Sequence, residues 1–314
     1  MRVLVLTNIY PSEQSPYRGI FVRESVDALR KIGVDVEVLA IDNSNKLNYI
    51  LAVFRLWSAI KRESFDLIHA HYVHSGWIAR MQTKLPVVVT SHGSDTMGHE
   101  GWFLRRLYPL VDAVTITSRQ NQERVGLPDT YLLPCGVNVD LFKPMEQSEA
   151  RRCLGWDSNR KKMLYVGRES PSKRLDIIRG AYAIVTSRYE DADLVIASAV
   201  PHEEVPLYMN AADVFVFASE SEGAPVVIKE ALACNLPIVS VDVGDVREVI
   251  SGVDNCYVCE RDENSMAECV LRVFQSGIRS NGREVALRYS TVKMAERTVE
   301  IYHSVLSARR GESG

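Results

Sequence analysis

The sequence lacks the features of a membrane-spanning, secreted or nucleic-acid-binding protein. No apolar run reaches the roughly 20 residues that a helix needs to cross a bilayer. No basic segment with an apolar stretch and a cleavage site precedes the first strand pattern, RVLVLTN, and this argues against secretion. The net charge is −3, so the chain has no basic excess of the kind that a dedicated nucleic-acid binder carries. We therefore expect a cytoplasmic protein.

Cysteine is too sparse for a disulfide framework. The chain has six cysteines among 314 residues, and their scatter is typical of reduced cytosolic thiols. Cys256 and Cys259 have C-x-x-C spacing, but no second pair accompanies them to complete a zinc site, so we disfavour a redox or metal role. Hydrophobic residues at 46% and charged residues at 25% are globular values, and the length allows two domains of about 150 residues.

Short β-branched runs alternate with helical patterns along most of the chain. In the first half these strand candidates lie at 3–6, 34–40, 66–70, 86–90, 112–118 and 131–135. In the second half they lie at 161–167, 192–198, 213–219, 236–241 and 256–259. Such alternation predicts doubly wound parallel sheets, and the turn-rich PCGVNVDLFKPMEQ between the halves indicates a linker. Ligands of these sheets bind just after the strands, at their carboxyl ends.

Two carboxylates eight residues apart mark the segment SESEGAPVVIKEALACNLPIVS (219–240). Pro225 suits the first turn of a helix, and Asn235 can adopt the left-handed conformation that ends one. Glu222 then precedes the helix, where free amides gather, and Glu230 lies inside it. The residues alone leave two interpretations open. Both carboxylates are functional, or Glu222 complements the helix dipole and Glu230 lies on a solvated face.

Basic residues and a glycine follow two other strand patterns. Arg168 and Lys173, in YVGRESPSKR, could hold a diphosphate together with helix amides, because Arg offers a planar fork and Lys a movable charge. Basic residues at a helix start oppose the dipole, so we favour this function over a solvated basic loop. Gly19 precedes an amphipathic helix and would let the backbone approach a phosphate, although a lone Gly is equally consistent with an ordinary turn.

Histidines cluster at the ends of two strand patterns in the first half. His69 and His71 are two residues apart on one strand and therefore share a face. His92 belongs to the segment TSHGSD. A zinc site needs converging ligands with carboxylates behind them, and the spacing gives no sign of these, so we disfavour a metal. We expect His92 to hydrogen-bond a polar ligand.

Two segments of the first half mix apolar, aromatic and basic residues. In KLNYILAVFRLWSAIKR, the apolar side chains of one helical face are Leu47, Ile50, Leu51 and Phe54. The segment GWFLRRLYP has a similar mixture. Docking to a membrane surface is one interpretation. Ordinary core packing with solvated basic residues is the interpretation that we favour.

Together, these motifs resemble the family-4 retaining glycosyltransferases. The resemblance spans nearly the whole chain and includes TSHGSD, PCGVNVDLFKP, the VGR segment with its later Lys, and above all the E-x7-E pattern with its EG-x-P loop. PLYMNAADV and VIKEALACNLPIVSVDVGDV indicate a short subgroup related to bacterial surface-polysaccharide enzymes. The resemblance implies the GT-B architecture, in which two Rossmann-like, doubly wound parallel-sheet domains face a cleft, here with a shortened second domain.

The resemblance also implies a division of the chain. Residues 1–143 would form the acceptor-side domain, and residues 144–289 would form the domain that binds the nucleotide-sugar. A helix at 290–308 would pack back on the first domain. Between ADLVIAS and PHEEVPLYMNAADV the chain lacks a segment that usually helps to hold the nucleobase, which leaves the base preference open.

Each candidate residue acquires an implied role. Glu222 would contact the donor sugar, and Glu230 would accept hydrogen bonds from the ribose hydroxyls. Arg168 and Lys173 would neutralise the departing diphosphate, and His92 would touch the donor sugar from the other domain. The remaining donor-binding positions would be Gly19, Gly223, Ala224, Pro225 and Val226.

The implied reaction moves a sugar, with retention at the anomeric carbon, from a UDP- or GDP-linked donor to a glycan or lipid-linked saccharide in cell-surface polysaccharide synthesis. No cofactor and no metal are expected. The expected partners are the donor and the acceptor, with no nucleic acid. Peripheral contact of the N-terminal domain with the inner face of the membrane is left open as the second interpretation of its apolar and basic segments. Two alternatives stay open: a sugar-nucleotide epimerase on the same architecture, and a non-catalytic two-domain sugar-binding protein.

Overall fold

The chain divides into two α/β units. The structure, a computed structural model, describes residues 1–13, 15–42, 44–96 and 98–311. The first unit contains residues 1–136 together with the C-terminal segment that starts at Thr291, and the second contains residues 137–290. Each unit is built on its own parallel sheet, which confirms the predicted fold class.

The sheet of the first unit has six parallel strands in the order β2-β1-β3-β4-β5-β6. The strands are β1 (Arg2–Thr7), β2 (Asp35–Ala40), β3 (Leu67–His71), β4 (Val87–Ser91), β5 (Ala113–Ile116) and β6 (Tyr131–Leu132). The helices that connect them are α1 (Ile20–Lys31), α2 (Leu47–Arg62), α3 (Val73–Ala79), α4 (Gly98–Leu107) and α5 (Arg119–Val125). The β-branched runs form buried central strands because both faces of this sheet are covered.

The sheet of the second unit has five parallel strands in the order β11-β10-β9-β7-β8. They are β7 (Lys161–Val166), β8 (Ala192–Ala197), β9 (Val214–Phe217), β10 (Ile238–Val241) and β11 (Tyr257–Cys259). The helices are α6 (Gln147–Leu154), α7 (Leu175–Arg188), α8 (Val205–Ala211), α9 (Val226–Ala233), α10 (Val246–Ile250), α11 (Glu263–Ser276) and α12 (Arg283–Ala286). Every strand predicted in this half is present.

The last helix, α13 (Thr291–Gly311), packs on the first unit. Its buried side chains Ile301 and Tyr302 join the core cluster that includes Val26 of α1. The Tyr302 hydroxyl lies 2.6 Å from His69 Nδ1, and this buried hydrogen bond joins the helix to β3. The chain therefore returns to the unit in which it begins.

The boundary between the units differs from the predicted one. It lies between Gly136 and Val137, whereas the turn-rich segment places it at residue 143. Val137 and Phe142 are fully buried in the core of the second unit, and the Val137 amide donates to the Tyr289 carbonyl over 2.8 Å. Apolar burial thus assigns this segment to the second unit, although its Pro and Gly residues are typical of a linker.

The prediction of core packing for the apolar face of α2 is wrong. Leu47, Ile50, Leu51 and Phe54 are each more than half exposed. The buried face of α2 is formed instead by Ala52, Leu56 and Ala59. Within the described part of the chain, no helix is both long enough and apolar enough to span a membrane.

Candidate functional site

The second sheet reverses its strand order at β7, which has β8 on one side and β9 on the other. In an open α/β sheet, ligands bind at such a switch point, beyond the carboxyl ends of the strands. The two loops that leave this point are the β7 loop (residues 167–174) and the β9 loop (residues 218–225). The Glu220 amide donates to the Ser172 carbonyl over 2.8 Å, so the structure brings the two loops together.

An ion pair joins the two loops. Lys173 Nζ lies 2.5 Å from Glu222 Oε1, and about a quarter or less of each side chain is exposed. Lys173 Nζ also lies 6.0 Å from the centre of the Phe217 ring, at the end of β9. Glu222 therefore has a lysine partner across the switch point. Glu222 thus contacts a distant loop in addition to lying before the start of a helix.

Glu230 is buried on α9. The helix begins after Pro225, its N-cap residue, and the chain turns away at Asn235 with a φ of 54°, as predicted. Glu230 is only 7% exposed, so a solvated position is excluded. Its Oε1 lies 4.0 Å from His202 Nδ1. The structure thus surrounds this carboxylate with protein.

His202 is a site residue that the sequence analysis missed. It lies in the loop between β8 and α8, beside Glu230, and its ring is 5.3 Å from that of Phe142. The sequence could have identified His202 by its position after the carboxyl end of β8, because the other site loops were selected by the same criterion. The histidine was passed over because its surroundings, PHEEV, match none of the motifs.

Arg168 lies at the exposed start of the β7 loop. The Tyr165 hydroxyl donates to its carbonyl oxygen over 3.2 Å. Among the described residues, none forms a hydrogen bond or ion pair with the guanidinium. This charge is therefore free to meet an anion beside the switch point.

The β9 loop is held by close backbone packing. Gly223, Ala224 and Pro225 are buried, and Val226 is half-buried at the start of α9. Gly244 has a φ of +62°, and a Cβ added to it would lie 2.7 Å from the Gly223 carbonyl oxygen. The loop therefore rests directly on the turn that follows β10.

A stack of three histidine rings occupies the first unit. The His69 and His71 ring centres are 4.5 Å apart, and those of His71 and His92 are 5.2 Å apart. His71 Nδ1 lies 2.9 Å from His92 Nε2. Burial lowers the pKa of His71 to about 4, and burial followed by the charge of His71 lowers the pKa of His92. All of these rings are therefore neutral near pH 7.

Asp95 fixes the turn that carries His92. Its Oδ1 accepts hydrogen bonds from Ser91 Oγ at 2.7 Å and from the His92 amide at 2.9 Å, and its Oδ2 accepts one from the Val73 amide at 3.2 Å. Burial nevertheless raises the pKa of Asp95 to about 6. The TSHGSD motif thus has a structural explanation, because its aspartate holds the loop in which His92 lies.

A small cavity lies beside the histidine stack. Phe21, Cys135 and Met294 line it together with the histidines. The Phe21 ring centre is 4.9 Å from that of His92, and Cys135 Sγ is 3.9 Å from His92 Nδ1. Within the described ranges, no group of three or more His, Cys, Asp or Glu side chains is arranged to hold a metal ion.

Gly19 stands where only glycine fits. It precedes α1 with a φ of 78°, and a Cβ at this position would lie 2.7 Å from the Ile9 carbonyl oxygen. The backbone at the end of β1 therefore passes directly against the start of α1. The structure gives Gly19 a packing role, and its predicted role in donor binding stays a prediction.

Two family models match the chain. The model described as Glycosyltransferase Family 4 matches residues 2–141, and the model described as Glycosyl transferases group 1 matches residues 199–276. Together they cover more than two thirds of the chain and include the histidine stack, the β9 loop and α9. The β7 loop lies between the two matches.

Curated relatives carry glycosyltransferase names. The putative teichuronic acid biosynthesis glycosyltransferase TuaC of Bacillus subtilis is 25% identical over 87% of this chain and 89% of its own. A GDP-mannose-dependent alpha-mannosyltransferase of Mycobacterium tuberculosis is 29% identical over 55% of this chain and 51% of its own.

Solved structures share the fold over almost the full length. Sucrose-phosphate synthase from Thermosynechococcus elongatus superposes with a TM-score of 0.80, at 20% identity, over 98% of this chain and all of that one. Anabaena HepE, solved in complex with UDP-glucose, superposes with a TM-score of 0.72, at 18% identity, over 97% of this chain and all of that one.

Proposed function

The chain belongs to the family-4 glycosyltransferases, and from this premise we propose that it moves a sugar from a nucleotide-diphospho-sugar to a glycan or lipid-linked saccharide, with retention at the anomeric carbon. The observation that carries the proposal is the ion pair between Lys173 and Glu222 at the switch point of the second sheet. A lysine and a carboxylate on neighbouring loops supply one group for the leaving phosphate and one for the sugar.

The donor is a nucleoside diphosphate sugar in this proposal. HepE is solved with UDP-glucose, and the mycobacterial relative is named as dependent on GDP-mannose. Arg168, exposed at the β7 loop, and Lys173 would neutralise the diphosphate. Glu230 would accept hydrogen bonds from the ribose hydroxyls, which suits a buried, acceptor-only carboxylate. Both UDP- and GDP-linked donors are compatible with these contacts.

Retention follows from attack on the face of the sugar that the leaving group occupies. The acceptor hydroxyl bonds to the anomeric carbon as the bond to the diphosphate breaks, and a phosphate oxygen takes the hydroxyl proton. Lys173 and Arg168 stabilise the negative charge that develops on the diphosphate. Glu222 holds the sugar beside them, and its contact with Lys173 gives way to the phosphate when the donor binds.

Nucleotide binding is the first test of this proposal. Thermal unfolding is measured with UDP, GDP, ADP and no ligand, all in EDTA. A nucleotide at 100 times its dissociation constant adds about 2.7 kcal/mol to the free energy of unfolding, which raises the melting temperature visibly. A selective rise with one nucleotide supports the diphosphate site and identifies the base. No rise with any of them contradicts the proposal.

Two substitutions separate the roles of the two carboxylates. Glu222→Gln should lower transfer strongly with little loss of nucleotide affinity, whereas Glu230→Ala should weaken nucleotide binding. Glu220→Gln is the matched control, because Glu220 lies on the same loop with an exposed side chain. Unchanged kinetics in the first two variants contradict the assignment. A new sugar nucleotide formed without any acceptor would identify an epimerase instead.

We also propose that the first unit contacts an anionic membrane surface. Its apolar surface, defined here by exposed side chains of α2 and α4, comprises Leu47, Ile50, Leu51, Phe54, Trp57, Trp102 and Phe103. Ring contacts connect the two helices across α3. The ring centre of His74, on α3, is 6.2 Å from that of Tyr49 and 6.4 Å from that of Phe103.

The charges around the apolar surface favour lipid as its partner. Helix α2 contains three basic residues and no acidic one, and α4 has Glu100 in its first turn and two arginines in its last turn. The Arg106 guanidinium lies 5.0 Å over the Trp102 ring, the pairing of a cation with an interfacial aromatic residue. Amphipathic helices with this composition lie in the plane of anionic bilayers. This contact would hold the enzyme at the inner face of the membrane, beside a lipid-linked acceptor.

A further inference from the structure

A second charged pair lies directly behind the β9 loop. Lys229 of α9 is completely buried, and Asp245, at the start of α10, is 5% exposed. Lys229 Nζ lies 2.6 Å from Asp245 Oδ2 and 5.3 Å from the centre of the Tyr289 ring. Lys229 immediately precedes Glu230 in the sequence, but neither the motifs nor the proposed mechanism uses it.

Burial of this pair needs an explanation other than stability. Removing two charges from water is costly, and apolar side chains of similar volume often stabilise such a position equally well or better. In addition, Asp245 Oδ1 is buried and has no hydrogen-bond partner among the described residues. Within the described part of the chain, the side-chain group that anchors this carboxylate is Lys229 Nζ, and a pair with this geometry fixes the relative position of two elements.

The two elements that the pair joins both touch the β9 loop. Lys229 belongs to α9, which begins where that loop ends. Asp245 follows Gly244, whose backbone packs against the loop so closely that an added Cβ would lie 2.7 Å from the Gly223 carbonyl oxygen and 3.1 Å from Pro225 Cδ. The β9 loop, which carries Glu222, thus lies between α9 and the turn at Gly244. The buried Lys229–Asp245 pair joins these two elements to each other.

We propose that Lys229 and Asp245 are a positioning pair that holds the β9 loop in the conformation in which Glu222 meets the sugar of the donor. This inference rests on the proposed function. Neither side chain touches the donor, because both are buried behind the loop. The pair acts on the sugar end of the site through Gly244, whereas the contacts proposed for the diphosphate come from the β7 loop.

A double variant tests the pair without leaving a single charge buried. Lys229→Leu combined with Asp245→Val replaces both charges with apolar groups, which buried pairs commonly tolerate. Affinities are measured by calorimetry for two matched probe sets, UDP with UDP-glucose and GDP with GDP-mannose. We expect the sugar nucleotide to lose about tenfold in affinity or more, and kcat to fall about 100-fold, while the affinity for the nucleoside diphosphate changes less than about twofold.

Two further variants exclude a merely structural effect. Arg151→Met breaks another buried pair, in which Arg151 Nη2 lies 2.6 Å from Asp213 at the amino end of β9, and should leave the ratio of the two affinities unchanged. Gly244→Ala displaces the β9 loop without touching the charged pair and should reproduce the selective loss for the sugar nucleotide. If the double variant does not fold, Asp245→Asn removes one charge of the pair with little change of shape, and the same ratio of affinities is measured on it.

The outcomes separate the inference from the function on which it rests. Wild-type protein that binds neither nucleoside diphosphate nor sugar nucleotide contradicts the proposed function itself. Wild-type binding, with equal losses for both probes in the double variant, or in Asp245→Asn where the double variant does not fold, overturns the positioning role alone. A selective loss for the sugar nucleotide, absent from Arg151→Met, supports it.

Discussion

Lys173 and Glu222 are 49 residues apart in sequence, yet Nζ and Oε1 lie 2.5 Å apart across the point where the second sheet reverses its strand order. The contact is mostly shielded from water, because three quarters or more of each side chain is buried. In the proposed mechanism, a donor that enters this point would separate the two side chains. Its diphosphate would replace Glu222 as the partner of Lys173, and Glu222 would become free to bind the sugar.

Removing the charge of Lys173 should weaken binding of the diphosphate. In Lys173→Met we expect about tenfold lower affinity for the nucleoside diphosphate and a fall in kcat of about 100-fold or more, because charge stabilisation of the leaving group is lost. Calorimetry and steady-state kinetics measure the two effects. Lys161→Met is a matched control, since Lys161 is equally exposed and pairs with Asp213 at the amino ends of β7 and β9, away from the two loops. Equal effects in both variants would contradict the assignment.

A methyl group at Gly19 should destabilise the first unit. Gly19→Ala combines a φ of 78° with a Cβ position 2.7 Å from a carbonyl oxygen, and we expect a loss of at least about 2 kcal/mol in the free energy of unfolding. Gly33→Ala serves as the control, because its φ is +88° but no atom lies within 4 Å of the added Cβ. There the loss should be about 1 kcal/mol. Chemical denaturation measures both, and equal losses would show that the close approach to Ile9 is unimportant.

Acid should destabilise the first unit through its histidines. Burial lowers the pKa of His71 from its ordinary 6.5 to about 4. As the pH falls, His71 is therefore protonated in the unfolded chain at a higher pH than in the folded protein. The stability that neutral His71 contributes is therefore complete above about pH 7 and is lost as the pH falls from 6.5 towards 4, with about 2 kcal/mol gone by pH 5. His71→Asn should remove this share of the pH dependence, measured by denaturation at pH 7.5 and 5. Substituting the exposed His303 should leave the slope unchanged.

The apolar surface of α2 and α4 should bind anionic vesicles. Changing Leu51 and Phe54 to Ser together should lower binding to vesicles of phosphatidylglycerol and phosphatidylcholine by at least about tenfold, since each apolar side chain contributes about 1.5–3 kcal/mol when buried. Co-sedimentation measures the effect, and unfolding should be unchanged because both side chains are exposed. Ile278 and Leu287, exposed on the second unit, provide a matched double Ser control. Equal binding by both double variants would contradict the proposal.

Much of the fold could be predicted because each strand is a local pattern. The β-branched runs from Val3 to Cys259 form strands where expected, and the family resemblance is confirmed by the two family models. Loops after strands were identified because the carboxyl ends of parallel strands share one edge of a sheet. The conformation of Asn235, which ends the segment after α9, was also evident from its residue type.

The contacts between distant segments could not be predicted in the same way. The pairing of Lys173 with Glu222 depends on β7 lying next to β9. Local patterns in the sequence identify strands but do not reveal their order in the sheet. Helix α2 was misjudged because it is apolar on two sides, and periodicity cannot show which side meets the core. Lys229 was overlooked because a lysine inside a helix is usually exposed, and only its partner Asp245, 16 residues away, accounts for its burial.

The packing of α13 on the first unit also sets an order for folding during synthesis. Residues 1–136 leave the ribosome first, but Ile301 and Tyr302, which complete their core, follow only after the whole of the second unit. At the usual speed of translation this delay is on the order of 10–30 s. The second unit is continuous in sequence and can fold within that interval. The first unit meanwhile exposes the apolar side chains that α13 later covers, and we expect a chaperone that binds the nascent chain to bind there.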